Sequence, residues 1–371
     1  VPHLLGLLEH ENGDVVGRVV SLLRDTTELD EACTPVDYQS MLAWATALVE
    51  GGGLERLLIA VKGAQAQTDG SGEDVCFQAM EVLENLLELE EDLLLESKAT
   101  GNWIDWLLAE TLGGRQPVAQ FAAELLVCLG QARSSLLHAL TGVNQTAMDQ
   151  RTTNKTTMDG LLAVLAPFTQ RDPREGEETE WLENLIDLIC LLLLQIEGRE
   201  AFAACEGFEL IGLMLSRLNW LRGRALKLLD YAVIGHGDAA IEAGLLACLG
   251  PILMEKGFKQ LERKCSGFSA REETCRLISI LASLWRSCST DNQARLLAKF
   301  HGEAEKRDRL ILLGDMLSNA TDEEGQYAAL QLDTILINFP EIQSRVRERI
   351  TANLAEYDEA EQMRLQKFIK D

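Results

Sequence analysis

Aromatic side chains are scarce in this 371-residue chain, at 5%, and only 7 prolines occur. Alternating runs of Val, Ile, Thr and Tyr are nearly absent, which argues against strands. Long apolar runs are missing as well. The best, LIDLICLLLLQI (185–196), is about twelve residues, contains Asp187 and is too short to cross a bilayer, so it reads as a buried helix. Cations are in deficit: 34 Lys and Arg stand against 59 Asp and Glu, a formal net charge of −25. Such a surface repels the phosphates of nucleic acid and of anionic lipid, so neither a nucleic acid nor a membrane is an expected direct partner. Two basic clusters, Lys256/Lys259/Arg263/Lys264 and Lys306/Arg307/Arg309, have acidic flanks and no interleaved aromatics, and do not change that reading.

Catalytic patterns are missing too. The five histidines, His3, His10, His138, His236 and His301, sit beside no Ser or Cys in a nucleophile motif. There is no HExxH, P-loop or strand–GxGxxG–helix pattern, so no cofactor or metal is expected. An enzyme with an unrecognised site is the distant alternative. Gly51-Gly52-Gly53 reads as a break before the helix LERLLIAV rather than as a phosphate loop. The nine cysteines form no CxxC and mostly lie inside apolar helical runs, as small core residues of a reducing compartment. Three Asn-x-Thr sequons, at Asn144, Asn154 and Asn319, come without a secretory signal peptide and read as chance. The opening residues VPHLLGLLEHENGD enter in mid-pattern, and an N-terminal piece with any targeting signal is expected to lie before them.

What remains is helix. Leu, Ala, Glu, Gln and Arg fill the segments between turns. Five long amphipathic helices are expected at 78–96, 119–140, 181–202, 222–241 and 271–289, with shorter ones at 103–112, 158–168, 205–218 and 243–254. Apolar residues recur at three- and four-residue steps, as in Leu125, Leu126 and Leu129 or Leu226, Leu229 and Val233. Anchoring one position per long helix on Asn85, Cys128, Leu191, Tyr231 and Ser283 gives spacings of 43, about 63, about 40 and 52. A unit near 42 residues with loop insertions at 63–74, 142–157 and 169–180 fits armadillo or HEAT repeats. The expected fold is all-α: a right-handed superhelical solenoid over residues 1–302, closed by a diverged, charge-rich helical cap at 303–371. The cap is read as helices at about 303–318, 323–338, 341–355 and 358–370, with Pro340 opening one of them.

One helix pair cannot bury its own stripe, so each repeat leans on its neighbours, and the long helices line a concave face. Asn85, in VLENLLEL, sits where armadillo inner helices commonly carry an Asn. The equivalents at Cys128, an apolar residue, Tyr231 and Ser283 break the Asn/Trp ladder on which an importin-alpha type of nuclear transport adaptor depends. Near these positions lie Glu84, Glu88, Glu124, Glu183, Asn184, Asp187 and Asp230. With Asn85 and Tyr231 they are the candidate groove for Lys/Arg-rich segments; the alternative is that half of them face solvent elsewhere. Trp103, Trp106, Trp181, Trp220 and Trp285 read as core or inter-repeat residues.

At RALKLLDYAVIG (224–235) and LASLWRSCSTDNQARLLAKF (281–300) the chain resembles the beta-catenin-like protein 1 family. Residues 1–30, VLENLLEL (82–89), WLENLIDLIC (181–190) and EGFELIGLMLSRL (206–218) carry the same resemblance, which runs along most of 1–300 and weakens after about 303. The resemblance implies an armadillo-type superhelix and a non-catalytic nuclear protein of the spliceosome's NineTeen complex. Its implied partners are a Myb-like component of that complex and other pre-mRNA-processing factors, held by basic localisation-signal-like segments. Self-association as a homodimer is left open.

Overall fold

The structure, a computed structural model, describes residues 1–301 and 351 except 30–33, 67–70, 114–116, 134–135, 137–139, 141–156, 175, 218–219 and 266–267. The expected C-terminal cap and most of the 142–157 insertion therefore lie outside the described residues, as does Cys33. Among the described residues every regular element is a helix. Contacts divide the chain into two compact units, Val1–Leu161 with Pro173–Leu192, and Leu162–Asp172 with the residues from Leu193 onward.

The first unit begins with α1 (Pro2–Gly6), a 3-10 turn, and α2 (Gly13–Thr27). The Asn12 side chain caps α2 by accepting from the Asp14 N–H at 2.9 Å. Val16, Val19, Val20 and Leu23 are its buried stripe. Helix α3 (Pro35–Glu50) opens with a capping box in which Thr34 and Asp37 satisfy each other's backbone N–H groups. The hydrogen bonds from Thr34 hold the Asp37 carboxyl below the usual carboxylate range. The Gly51–Gly52 break then starts α4 (Gly53–Gln65), with Gly52 left-handed at φ 74°, a conformation that favours glycine.

Next come α5 (Ser71–Leu89), α6 (Glu91–Leu95), α7 (Thr100–Gly113), α8 (Val118–Ala132) and, from the segment that returns to this unit, α10 (Glu177–Leu193); α9 (Thr157–Leu165) intervenes in sequence. Helix α5 packs on α2, α4 and α8, and α7 on α8. Trp103 and Trp106 bear out the core reading. They meet edge to face at 5.5 Å; the Trp103 Nε1–H donates to the Leu54 carbonyl at 3.1 Å and the Trp106 Nε1–H to Gln65 Oε1 at 3.1 Å.

The second unit holds α11 (Ile196–Ala204), α12 (Gly207–Leu215), α13 (Leu221–Ala232), α14 (Gly237–Glu242), α15 (Leu246–Leu253), α16 (Phe258–Lys264), α17 (Ala270–Ser287) and α18 (Thr290–His301). Helix α13 packs on α12 and α17, and α17 also receives α14 and α15. The α11–α12 corner is tight. Phe202 and Phe208 meet edge to face at 5.5 Å, and a Cβ on Gly207 would lie 2.4 Å from the Phe202 ring, so only glycine fits. Asp238 ties α14 to the start of α18 by accepting from the Ser289 N–H and hydroxyl, each at 2.9 Å, and from Asn292 Nδ2 at 2.7 Å.

Between α13 and α17 lies a buried charge pair. Arg222 is 2% exposed and Glu273 3% exposed. The Arg222 Nη1–H donates to the Lys256 carbonyl at 3.0 Å and its guanidinium lies 5.5 Å from the Phe258 ring centre. Arg222 Nε and Nη2 and Glu273 Oε2 are buried without a hydrogen-bond partner among the described residues. Gly223 admits the carboxylate, since a Cβ there would lie 2.8 Å from Glu273 Oε1. Burial pushes the Glu273 carboxyl up to about 7, against the pull of Arg276 and Arg222.

Candidate partner-binding surfaces

The expected groove residues fall on both units. In the first unit, α5, α8 and α10 together contain eleven carboxylates and not one Lys, Arg or His: Glu73, Asp74, Glu81, Glu84 and Glu88 on α5, Glu124 on α8, and Glu177, Glu178, Glu180, Glu183 and Asp187 on α10. The apolar stripes of these helices face inward, through Leu83 and Leu86, Leu125 and Leu126, and Leu185 and Ile189, so their acids are left at the surface. Glu84 is half-buried, and Glu88 and Glu124 are exposed.

Electrostatics gathers four of these acids into one patch. Burial first, then the charges of Glu124, Glu88 and Glu81, raise the Glu84 carboxyl above the ordinary glutamate range. Cys128, one turn along α8 from Glu124, is raised by burial and by Glu124, Glu84 and Glu88. Two acids crowded across neighbouring helices gain from an incoming cation. Arg24 of α2 closes one edge of the patch, binding Asp25 at 2.7 Å and reaching Glu81 at 3.5 Å. Glu81 and Arg24 were not named from the sequence. The three- and four-residue steps from Glu81 to Glu84 and Glu88 put them on one face of α5, which was the signal for Glu81. Glu183, Asn184 and Asp187 are half-buried on α10, and Gln120 of α8 donates to Glu180 of α10 at 2.6 Å.

Asn85 points elsewhere. Its Nδ2 donates to the Arg24 carbonyl at 3.3 Å and to Thr27 Oγ1 at 3.2 Å, so both amide hydrogens tie α5 to α2.

In the second unit Asp230 and Tyr231 line a recess of about 590 Å³ between α13 and α17, together with Ile234, Ser279, Ser283 and Arg286. Tyr231 and Ser283, two positions on which the repeat was anchored, thus lie side by side. Burial raises the Asp230 carboxyl, while a Ser279 hydrogen bond and Arg276 lower it. Its neighbours are cationic, unlike those of Glu84. Among the described residues no three His, Cys, Asp or Glu side chains converge to hold a metal, and no helix is long and apolar enough to cross a membrane. The eight described cysteines are in no disulfide, and Cys76, Cys190 and Cys275 are buried.

Helices packed against one another in sequence order, with no strand among the described residues, are the architecture of an armadillo-type repeat protein. A solved structure from work on a phosphorylation switch in the interaction between cadherin and beta-catenin has the same fold, with TM-score 0.62 and 16% identity over 100% of this chain and 69% of that one. The family described as "Catenin-beta-like, Arm-motif containing nuclear" matches residues 1–334, and the chain belongs to it. Beta-catenin-like protein 1 of Homo sapiens is 33% identical over 329 residues, 84% of this chain and 54% of that protein. The beta-catenin-like protein 1 homolog of Schizosaccharomyces pombe is 27% identical over 85% of this chain and 53% of that protein. The chain thus spans about half the length of the curated relatives it matches.

Proposed function

We propose that this chain is a nuclear, non-catalytic scaffold of pre-mRNA splicing that docks Lys/Arg-rich segments of splicing proteins on the acidic faces of α5, α8 and α10. One observation carries the reading: three long helices of the first unit bear eleven carboxylates and no cation, and burial together with the charges of Glu124, Glu88 and Glu81 raises the Glu84 carboxyl among them. A bound guanidinium or ammonium relieves that repulsion and gains charge-assisted hydrogen bonds. The family's description as nuclear and Arm-motif containing supports the location and the scaffold role. The partners proposed are a Myb-like component of the NineTeen complex and other pre-mRNA-processing factors, through their basic localisation-signal-like segments. An importin-alpha type of adaptor is less well supported, because the Asn85 amide is spent on α2.

The test is a titration with a fluorescent Lys/Arg-rich peptide. Glu84→Lys, Glu183→Lys and Asp187→Lys combined should weaken binding at least tenfold, about 1.4 kcal/mol, and leave the melting curve in place. Wild-type affinity should fall as salt rises through the range where the Debye length drops below about 8 Å. Unchanged affinity in the triple variant would place the peptide on another surface.

A further inference from the structure

Near its start the first unit leaves a groove open. Helices α2 and α4 both pack on α5, and the three line a recess of about 960 Å³. Helix α2 contributes Gly13, Gly17 and Ser21, at four-residue steps along one face. Helix α4 contributes Ile59, Ala60, Gly63 and Ala64, and α5 adds Val75 and Gln78.

The fold itself gives no reason for two of these glycines. Inside a helix glycine is less stable than alanine, because it gives up more conformational freedom. Gly17 and Gly63 both have ordinary helical backbones. A Cβ on Gly63 would meet nothing within 4 Å, and one on Gly17 would meet only Val75, at 3.8 Å, an ordinary contact. What the two glycines keep clear is the recess. Ile59, in the same lining, is 59% exposed. Gln78 Oε1 is buried there without a hydrogen-bond donor among the described residues. The lining is also acidic. Glu9 pairs with Arg56 at 3.2 Å. Glu11, Asp14 and Asp74 are exposed and have no ion-pair partner among the described residues, against one exposed arginine, Arg18. The His10 ring accepts the Asn12 N–H through Nδ1 at 3.0 Å.

We propose that this recess docks an amphipathic helix of a partner protein, with Ala- and Leu-sized side chains on the inserted face and Lys or Arg on its flanks. The walls are helices, whose backbone groups are already paired, so an extended segment finds no edge to bond to. A helix brings its own hydrogen bonds and needs only a close approach, which small residues at four-residue spacing allow. The three unpaired acids select the sign of the flanks. Arg18 opposes that sign and is outnumbered. The site is distinct from the acidic patch proposed for basic segments: Asp74 is ten residues, about 15 Å along α5, from Glu84.

The test uses the full chain and a fluorescein-labelled, helix-forming peptide of roughly eighteen residues, with Ala and Leu on one face and Lys on its flanks. At about 1.5 Å per residue it is long enough to lie along the recess. Gly17→Leu with Gly63→Leu should weaken binding at least tenfold. Should that pair fail to fold, Gly17→Ala with Gly63→Ala decides the matter: binding should fall threefold or more while the midpoint of thermal unfolding rises, a combination that a merely structural role does not produce. Asp14→Lys with Asp74→Lys should cost tenfold, and Arg18→Gln should tighten binding. Glu84→Lys, Glu183→Lys and Asp187→Lys combined should leave affinity for this peptide within about twofold, which separates the site from the acidic patch. Absence of binding, equal binding by the glycine variants, or equal binding of the same peptide broken by central prolines would overturn the proposal. So would a dimer of the chain that Gly63→Leu dissolves, since a second copy would then be the occupant.

Discussion

Glu273→Gln should make the protein gain stability relative to wild type as the pH rises. The carboxyl lies between α13 and α17, 3% exposed, and burial carries it from 4.5 up to about 7 in the folded chain. At about 1.4 kcal/mol per pH unit, that rise corresponds to about 3 kcal/mol between its two protonation states. The sign follows from the raised value. Stability contributed by the neutral acid is whole below the unfolded value of 4.5 and is lost as the pH rises through about 7. Roughly 2 kcal/mol of that loss falls between pH 5.5 and 8.5. Glutamine has nearly the same shape and does not titrate, so the stability difference between variant and wild type should widen by about 2 kcal/mol over that interval. Urea unfolding followed by circular dichroism at the two pH values measures it. The opposing force is attraction to Arg222, and removing one partner of a well-made buried ion pair typically costs about 3–5 kcal/mol. Arg222 spends Nη1 on the Lys256 carbonyl and leaves Nε and Nη2 without partners, so the pair is not well made. A gap that stayed constant, or closed as the pH rose, would show that the ionised carboxylate is welcome and would refute this reasoning.

Two other outcomes follow from the first unit. Asn85→Ala should cost about 1 kcal/mol of stability through the lost bonds to Arg24 and Thr27, and leave basic-peptide affinity within about twofold; a tenfold loss of affinity with unchanged stability would put this amide in the binding site. The Cys128 thiol, raised by burial and then by Glu124, Glu84 and Glu88, should react slowly with iodoacetamide near neutral pH, and Glu124→Gln should speed it about twofold or more, because only the thiolate reacts; an unchanged rate would separate Cys128 from the acidic patch.

Much of the fold was legible in the sequence because apolar side chains at three- and four-residue steps need a helix to bring them to one side. Helix occupies most of the described residues in each of the five long segments expected, and 271–289 is a single helix. Their ends were less legible. The segments 78–96, 119–140, 181–202 and 222–241 were read as single helices, but each is broken, near Glu90, at the extended Arg133 that ends α8, at Leu194–Gln195 and at Val233–His236. Glu90 is extended, at φ −162°. Apolar periodicity runs across such breaks because both halves bury residues in the same core, as Leu89 and Leu94 do. The Gly-His-Gly at 235–237 was a visible stop signal, whereas Glu90 and Gln195 carry none.

The surface was partly legible. Periodicity places Glu84 and Glu88 on the same side of α5, but it does not say which neighbour that side meets. Asn85 is one residue, about 100° of helix, from Glu84, and that rotation turns it toward α2. Asp230 looked like one more acid in a negative series. The cations beside it, Arg276 and Arg286, come from α17, more than forty residues later in the chain, and no local pattern announces that proximity.

The scaffold role proposed for the acidic faces of α5, α8 and α10 turns on where a basic segment lands. Amide hydrogen exchange of the whole chain, with and without a saturating Lys/Arg-rich peptide, reads this directly. Slowed exchange should concentrate on α5 around 84–88, α8 around 124–128 and α10 around 183–187, with α13 and α17 unchanged. Protection confined to α13 and α17, or to no helix at all, would contradict it.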